Sequence, residues 1–281
     1  MKKLFVLFLL LALVSNALAV TTYSEWTGLA GDGLWNTAGN WTAGVPLYTD
    51  SGGIAGNPNG KAGFKRGGSG VSPTFSSGTY GADMLVCGGA AGATTDVTIA
   101  GATINVSEYV TLAASATDYG QLTMNSGTIN TGVNFNNTTF YVTQLGTGIL
   151  NMNGGTINVG LNYPTPAGTF GNLSMTGSSG TTGNGTLYLY GGTIYANDLL
   201  PGTSAPKLLD ITDGKLVLKT NRVAEITVYV DDGWLRTTKA GGSIEISYDA
   251  LTNTTTVLAI PEPATICLLG IGALSLIGRK K

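Results

Sequence analysis

Two aspartates, Asp213 and Asp232, occupy the same position in two aligned sequence repeats, with Asp231 beside the second and Arg222 and Arg236 nearby in sequence. Carboxylates stacked one repeat apart on a sheet would suit a Ca²⁺ ion or the acid and base of glycosidic-bond cleavage. Asp213 and Asp232 are therefore the metal candidates of the chain. Both also precede a glycine, and Asp-Gly is ordinary turn chemistry, because aspartate tolerates the bend and bonds its own backbone. The turn role is the simpler reading.

A second set is aromatic. Tyr188, Tyr190 and Tyr195 in one repeat, and Tyr229 and Trp234 in a later one, fall at positions expected to face solvent. Flat rings on a rigid sheet can stack on sugar rings, although aromatic residues also favour strands for packing reasons alone. Nucleophilic and metal chemistry has little else to draw on. Histidine is absent, which removes the commonest general base and metal ligand. Of the two cysteines, Cys267 lies in an apolar tail strip, so no structural disulfide is expected. Cys87 follows Met84-Leu85-Val86 and reads as a small buried hydrophobe. No catalytic residue is assigned, and no cofactor is expected.

The elements that would position these residues are repeats. "VTIAGATINV" (97–106), "LTMNSGTINT" (122–131), "LNMNGGTINV" (150–159), "LYLYGGTIYA" (187–196) and "LDITDGKLVL" (209–218) align without gaps, and "VYVDDGWLRT" (228–237) aligns more loosely. Each copy alternates apolar and polar residues on both sides of a turn pair and one small residue, usually glycine. That pattern marks two short half-buried strands joined by a bend. Leu122, Met124 and Ile129 would point inward and stack on Leu150, Met152 and Ile157. The columns Thr103, Thr128, Thr156, Thr193 and Asn105, Asn130, Asn158 would point outward and bond along the stack.

Copies start 25, 28, 37, 22 and 19 residues apart, which fits one coil of a solenoid with loops of variable length. Runs between copies, Tyr109 to Ala113, Tyr141 to Leu145 and Leu173 to Met175, can supply a third strand per coil. The expected fold is all-β, a short right-handed parallel β-helix with capping strands, and an antiparallel sandwich is the alternative. An N-terminal signal helix and a C-terminal transmembrane helix would flank it.

A solenoid needs covered ends. The Trp- and Gly-rich stretch 20–80, with Trp26, Trp35 and Trp41, is expected to form the N-terminal cap, Leu47 to Ser77 being loop with at most one strand. Residues 81–240 would hold the repeats, and 241–259 a capping hairpin that turns at Asp249 to Asn253.

Residues 1–19 read as a signal peptide: Lys2 and Lys3, the apolar run Leu4 to Val14, then small Ala17 and Ala19, with cleavage after Ala19. Signal peptidase is the implied partner. Without residues 1–19 and 261–281 the chain has 9 basic and 15 acidic residues, a net charge of −6, and no cation lies between Arg66 and Lys207. A phosphate backbone requires clustered cations, so nucleic-acid binding is excluded. At the other end, Ala264 to Gly278 is apolar and Arg279, Lys280 and Lys281 follow, the order of a short membrane anchor with a cytoplasmic basic end.

Pro261-Glu262-Pro263, then the apolar strip and the basic cluster at the extreme terminus, resembles the PEP-CTERM sorting domain of exosortase substrates. The resemblance covers residues 260–281. It implies passage through the inner membrane, recognition of the tripeptide by exosortase, and residence at the cell surface or in an exopolysaccharide matrix. The Trp-rich opening and the repeats resemble autotransporter-type β-strand repeats, which implies surface display and no catalytic residue. The expected function is that of a surface or matrix protein with a structural or adhesive body. Extracellular polysaccharide is its conjectured ligand, and Asn137 and Asn184 open glycosylation triplets. The alternative is a surface-displayed polysaccharide lyase or hydrolase on the same fold.

Overall fold

The structure, a computed structural model, describes residues 24–46, 60–64, 72–88, 94–132, 137–160, 170–177, 183–203 and 206–261. Ala17, Ala19, Glu262, Pro263, Cys267, Arg279, Lys280 and Lys281 lie outside them. The described chain winds into a parallel β-solenoid of about 5 turns. Each full coil contributes a strand to each of three faces, because alternating short runs can bury one side only when coils stack on one another.

The first face carries β3 (Thr74–Phe75), the start of β5 (Thr94–Leu112), the start of β6 (Tyr119–Thr131), β8 (Thr147–Met152), β11 (Asn184–Leu189), β14 (Lys207–Ile211) and β16 (Leu235–Arg236). Its inward column is Val97, Leu122, Leu150, Leu187, Leu209 and Leu235, each paired with the next in parallel register. The second face carries the start of β4 (Thr79–Cys87), the middle of β5, the end of β6, β9 (Thr156–Val159), β12 (Thr193–Ala196) and β15 (Lys215–Lys219). Its inward column is Tyr80, Ile104, Ile129, Ile157, Ile194 and Leu216. From Ile104 onward these side chains are fully buried, and the expected stacking of Leu122, Met124 and Ile129 on Leu150, Met152 and Ile157 is present residue for residue.

The third face was only loosely marked by the sequence. It carries β1 (Ser24–Glu25), β2 (Lys61–Phe64), the end of β4, the end of β5, β7 (Asn137–Tyr141), β10 (Phe170–Ser174) and β13 (Asp198–Leu200). Its inward column runs Ala62, Leu85, Val110, Phe140, Leu173, Leu199. The two Tyr-Val-Thr runs are offset by two residues, since Thr111 faces Tyr141. Two strands, β2 and β3, fall in the stretch read as loop with at most one strand.

At the N-terminal end Trp26, Trp35, Trp41, Phe64 and Phe75 bury their rings together, with Tyr80 stacked on Trp35 at 5.4 Å. Asn40 fixes the preceding turn: it donates to Asp32 Oδ1 at 2.6 Å and to the Leu34 carbonyl at 2.9 Å, and accepts from Ala30 N–H. At the other end β17 (Gly242–Asp249) and β18 (Thr254–Pro261) form an antiparallel hairpin, and β18 pairs antiparallel with β15.

The sixth repeat copy is not a strand pair. Val223–Asp231 is the helix α1, and Leu235, seven residues after the aligned Val228, takes the place opposite Leu209. Apolar residues there recur both at two (Val228, Val230) and at three to four (Val223, Ile226, Val230). A helix satisfies its own backbone without a strand partner, and the place beside β14 goes to the short strand β16 instead. Ile226 is buried, whereas Val228 stands 53% exposed. Gly233, at φ +78°, then ends the helix in the left-handed conformation usual after a C-cap. No helix among the described residues is long and apolar enough to cross a membrane.

The bends between the first two faces test the stacking. At Gly155, φ is +80° and an added Cβ would lie 2.7 Å from the Gly127 carbonyl oxygen of the preceding coil, whereas at Gly233 nothing lies within 4 Å. Gly233→Ala is expected to cost about 1 kcal/mol, for its positive φ alone, and Gly155→Ala at least about twice that. Urea denaturation of the two variants measures the difference, and equal losses would contradict close coil stacking at the bend.

Candidate functional site

Outward residues form columns because the inward ones do. Thr103, Thr128, Thr156 and Thr193 lie in register, and Thr79 precedes them on β4, in a coil too irregular for the repeat alignment to reach. Beside them Asn158 donates to Asn130 and Asn130 to Asn105, each at 2.8 Å. Every coil along this ladder thus repeats one hydroxyl and one amide at about 4.8 Å. Asn130 uses one of its two amide N–H groups within the ladder, so its side chain keeps donor capacity outward. Tyr195 continues the Asn column on the next coil, opposite Asn158.

Tyr188 lies on the first face and Tyr190 in the bend just after β11. Their rings are nearly parallel, at 3°, with centroids 5.5 Å apart. Rings so close cannot lie side by side in one plane, so they overlap as an offset stack and partly cover each other. The pair offers ring edges and one outer face rather than a broad flat platform. Tyr190 is 44% exposed, the more open of the two.

Tyr229 and Trp234 do not stand outward. Trp234 is 9% exposed, packs on Tyr229 at 4.5 Å and has Lys207 Nζ 5.7 Å from its ring centroid. Tyr229, on α1, packs half-buried against the core. Their outward assignment assumed a sixth strand, and the helix turns them under the last coil instead.

The same change separates the aspartate pair. Asp232 is the C-cap of α1, while Asp213 sits in the turn after β14 and bonds Lys239 Nζ at 2.7 Å. They are not on adjacent rungs, and among the described residues no three His, Cys, Asp or Glu side chains gather where they could hold a metal. Cys87 is fully buried with a free thiol, and burial pushes its pKa far above the usual cysteine value.

A cluster that the sequence concealed lies where α1 crosses the last coil. Arg222 bridges Asp198 Oδ2 at 2.9 Å and Glu225 Oε2 at 3.1 Å. Glu225 Oε1 accepts the Tyr229 hydroxyl at 2.6 Å, and Asp198 Oδ1 accepts the Leu199 N–H at 2.9 Å. All four carboxylate oxygens are therefore engaged within the protein, an arrangement that fastens the helix to β13. Burial raises the Asp198 carboxyl above the usual aspartate value, and the Arg222 charge offsets this only in part. Burial and then Glu225 hold the Tyr229 hydroxyl firmly protonated. Asp198 lies more than twenty residues from its partners, and no local spacing rule links them. Asp32 and Asp249 behave oppositely: hydrogen bonds from Thr37, and from the Leu251 N–H, hold them below the usual value.

Fold and surface together define an all-β parallel solenoid with polar and aromatic columns outside and a C-terminal hairpin from which the chain leaves at Pro261. Residues 259–281 match the PEP-CTERM protein-sorting motif. That motif is the recognition signal of exosortase and implies export and sorting to the cell surface. No curated protein and no solved structure matches the chain.

Two measurements test the acidic cluster. Arg222→Ala leaves two carboxylates facing each other and is expected to cost about 1–2 kcal/mol, between the values for exposed and buried pairs. Titration followed by NMR should place Asp198 above, and Asp32 and Asp249 below, the ordinary aspartate midpoint of about 3.9. A raised folded pKa means that the Asp198 contribution to stability is full below that midpoint and is lost as pH rises through the folded value. The Asp32 and Asp249 contributions are present above it and lost as pH falls through their depressed values.

Proposed function

We propose that this chain is a secreted cell-surface or exopolysaccharide-matrix protein whose solenoid body has a structural or adhesive role. In this reading the N-terminal signal is cleaved after Ala19 by signal peptidase. The body emerges from the inner membrane held by its apolar tail, with Arg279, Lys280 and Lys281 on the cytoplasmic side, and exosortase acts through Pro261, Glu262 and Pro263. The carrying observation is the sorting motif at 259–281, joined without a spacer to a folded all-β body. A right-handed winding belongs to the same reading, since parallel crossovers take that hand almost without exception. So does the likeness to autotransporter-type repeats.

The adhesive role draws on the outward columns. Tyr195 at the end of the Asn ladder and Tyr190 at the edge of its stack are the ring faces available to sugar, with Tyr188 behind. The enzymatic alternative has less to draw on. The acidic groups that do converge, Asp198 and Glu225, have their oxygens engaged by Arg222, Tyr229 and a backbone N–H.

Intact mass and fractionation from the native cell surface test the sorting. The parent should yield a species lacking both ends. A strain without exosortase, and a Pro261/Glu262/Pro263 triple-alanine variant, should keep the tail and stay in the membrane. A tail retained in all three would reduce it to a plain anchor. Pull-down on the exopolysaccharide of the producing cell should fall at least about threefold for Tyr190→Ala with Tyr195→Ala, a loss of about 0.7 kcal/mol or more. Unchanged retention would leave the body a structural role only.

A further inference from the structure

The sorting tail does not begin where the fold ends. β18 is held on both sides from Thr254 to Leu258, by β15 through Lys219↔Thr254 to Lys215↔Leu258 and by β17 through Asp249↔Thr254 to Glu245↔Leu258. Beyond Leu258, among the described residues, only β17 remains, through Ile244↔Ala259, Ser243↔Ile260 and Gly242↔Pro261. The segment matching the sorting motif starts at Ala259, the first residue of this one-sided overhang.

The overhang is also weakly held. Its closing pair has little to donate, since Gly242 N–H bonds the Lys239 carbonyl at 2.9 Å and proline has no N–H. Inward anchoring fades along the inner column: Thr255 and Val257 are fully buried and Ala259 nearly so, whereas Pro261 is exposed. An enzyme that takes a peptide in extended form needs that peptide's backbone edges free. Here the first residue of the tripeptide is still in a hairpin. Local opening of three residues would release about 10 Å of extended chain and stop at Leu258, where β15 takes over.

We propose that Ala259–Pro261 is a release handle: it stays zipped to Gly242–Ile244 in the folded protein and must peel away before the tail can be engaged. The two-sided pairing from Thr254 to Leu258 then acts as a stop that keeps the solenoid closed. This rests on the exosortase reading above. It makes tail removal depend on the C-terminal hairpin as well as on the tripeptide, and it requires the mature body to retain residues through Leu258.

A reversible lock tests it. Ser243→Cys with Ile260→Cys places two thiols on directly opposed strand residues, and the bond forms after export into an oxidising compartment. The full-length chain is expressed in its native cell, its cross-link is verified by intact mass, and tail removal is followed by pulse–chase. The locked protein is expected to lose its tail at least ten times more slowly than the parent. Reductant should restore the parental rate, and a six-residue Gly/Ser spacer inserted after position 260 should make the locked protein as fast as the parent. Removal from the locked protein at the parental rate overturns the handle while leaving the sorting signal intact, as does a slowing that reductant does not relieve. A mature chain ending before Leu258 also overturns it. A parent that keeps its tail overturns the sorting reading itself.

Discussion

Everything in this protein depends on parallel coils stacking in register at about 4.8 Å. One coil of this chain has an apolar inner side and nothing to bury it against, so the stabilising unit is the column rather than the strand. Leu122 is buried because Val97 lies above it and Leu150 below. Burial of each such side chain contributes about 1.5–3 kcal/mol, and the contribution exists only while its neighbours hold register. The same constraint makes the bends tight, since a carbonyl of one coil sits where a side chain of the next would go.

Stacking creates the problem of ends, and the two ends solve it differently. The N-terminal end lays a cluster of tryptophans and phenylalanines over the first coils, exploiting the area that each aromatic ring buries. The C-terminal end turns a strand-like sequence into a helix and reverses strand direction with a hairpin, so that β15 is followed by an antiparallel neighbour rather than by a further coil. A helix offers no strand edge, and the cluster around Arg222 fastens it to β13 beneath Leu199.

Outward columns follow from the inward ones without separate design. Because side chains alternate, any repeat that keeps Ile104, Ile129 and Ile157 in line also aligns Thr103, Thr128, Thr156 and Asn105, Asn130, Asn158. The amide ladder adds hydrogen bonds to a stack already set by apolar register. The result is an outer surface without Lys or Arg over the middle coils. The cations of the body occur only near its two ends.

The sequence by itself determined the repeat, the inward and outward assignment of residues in its first five copies, the hairpin turn and the sorting tail, since each is written in local spacing or in a contiguous motif. Tertiary structure decided the rest. Strands of the third face carry weak local signals and are recognisable only by the columns that they complete, as Phe140 does between Val110 and Leu173. Residues 223–234 carry two periods at once, and the fold takes the helical one and leaves the place beside β14 to β16, which removes Tyr229 and Trp234 from the outward positions of a strand and Asp232 from the side of Asp213. Asp198 meets Arg222 and Glu225 across more than twenty residues. The physical reason is the same throughout: periodicity fixes which side of a strand is apolar, whereas the neighbour that each residue meets is fixed by where the stack begins and stops.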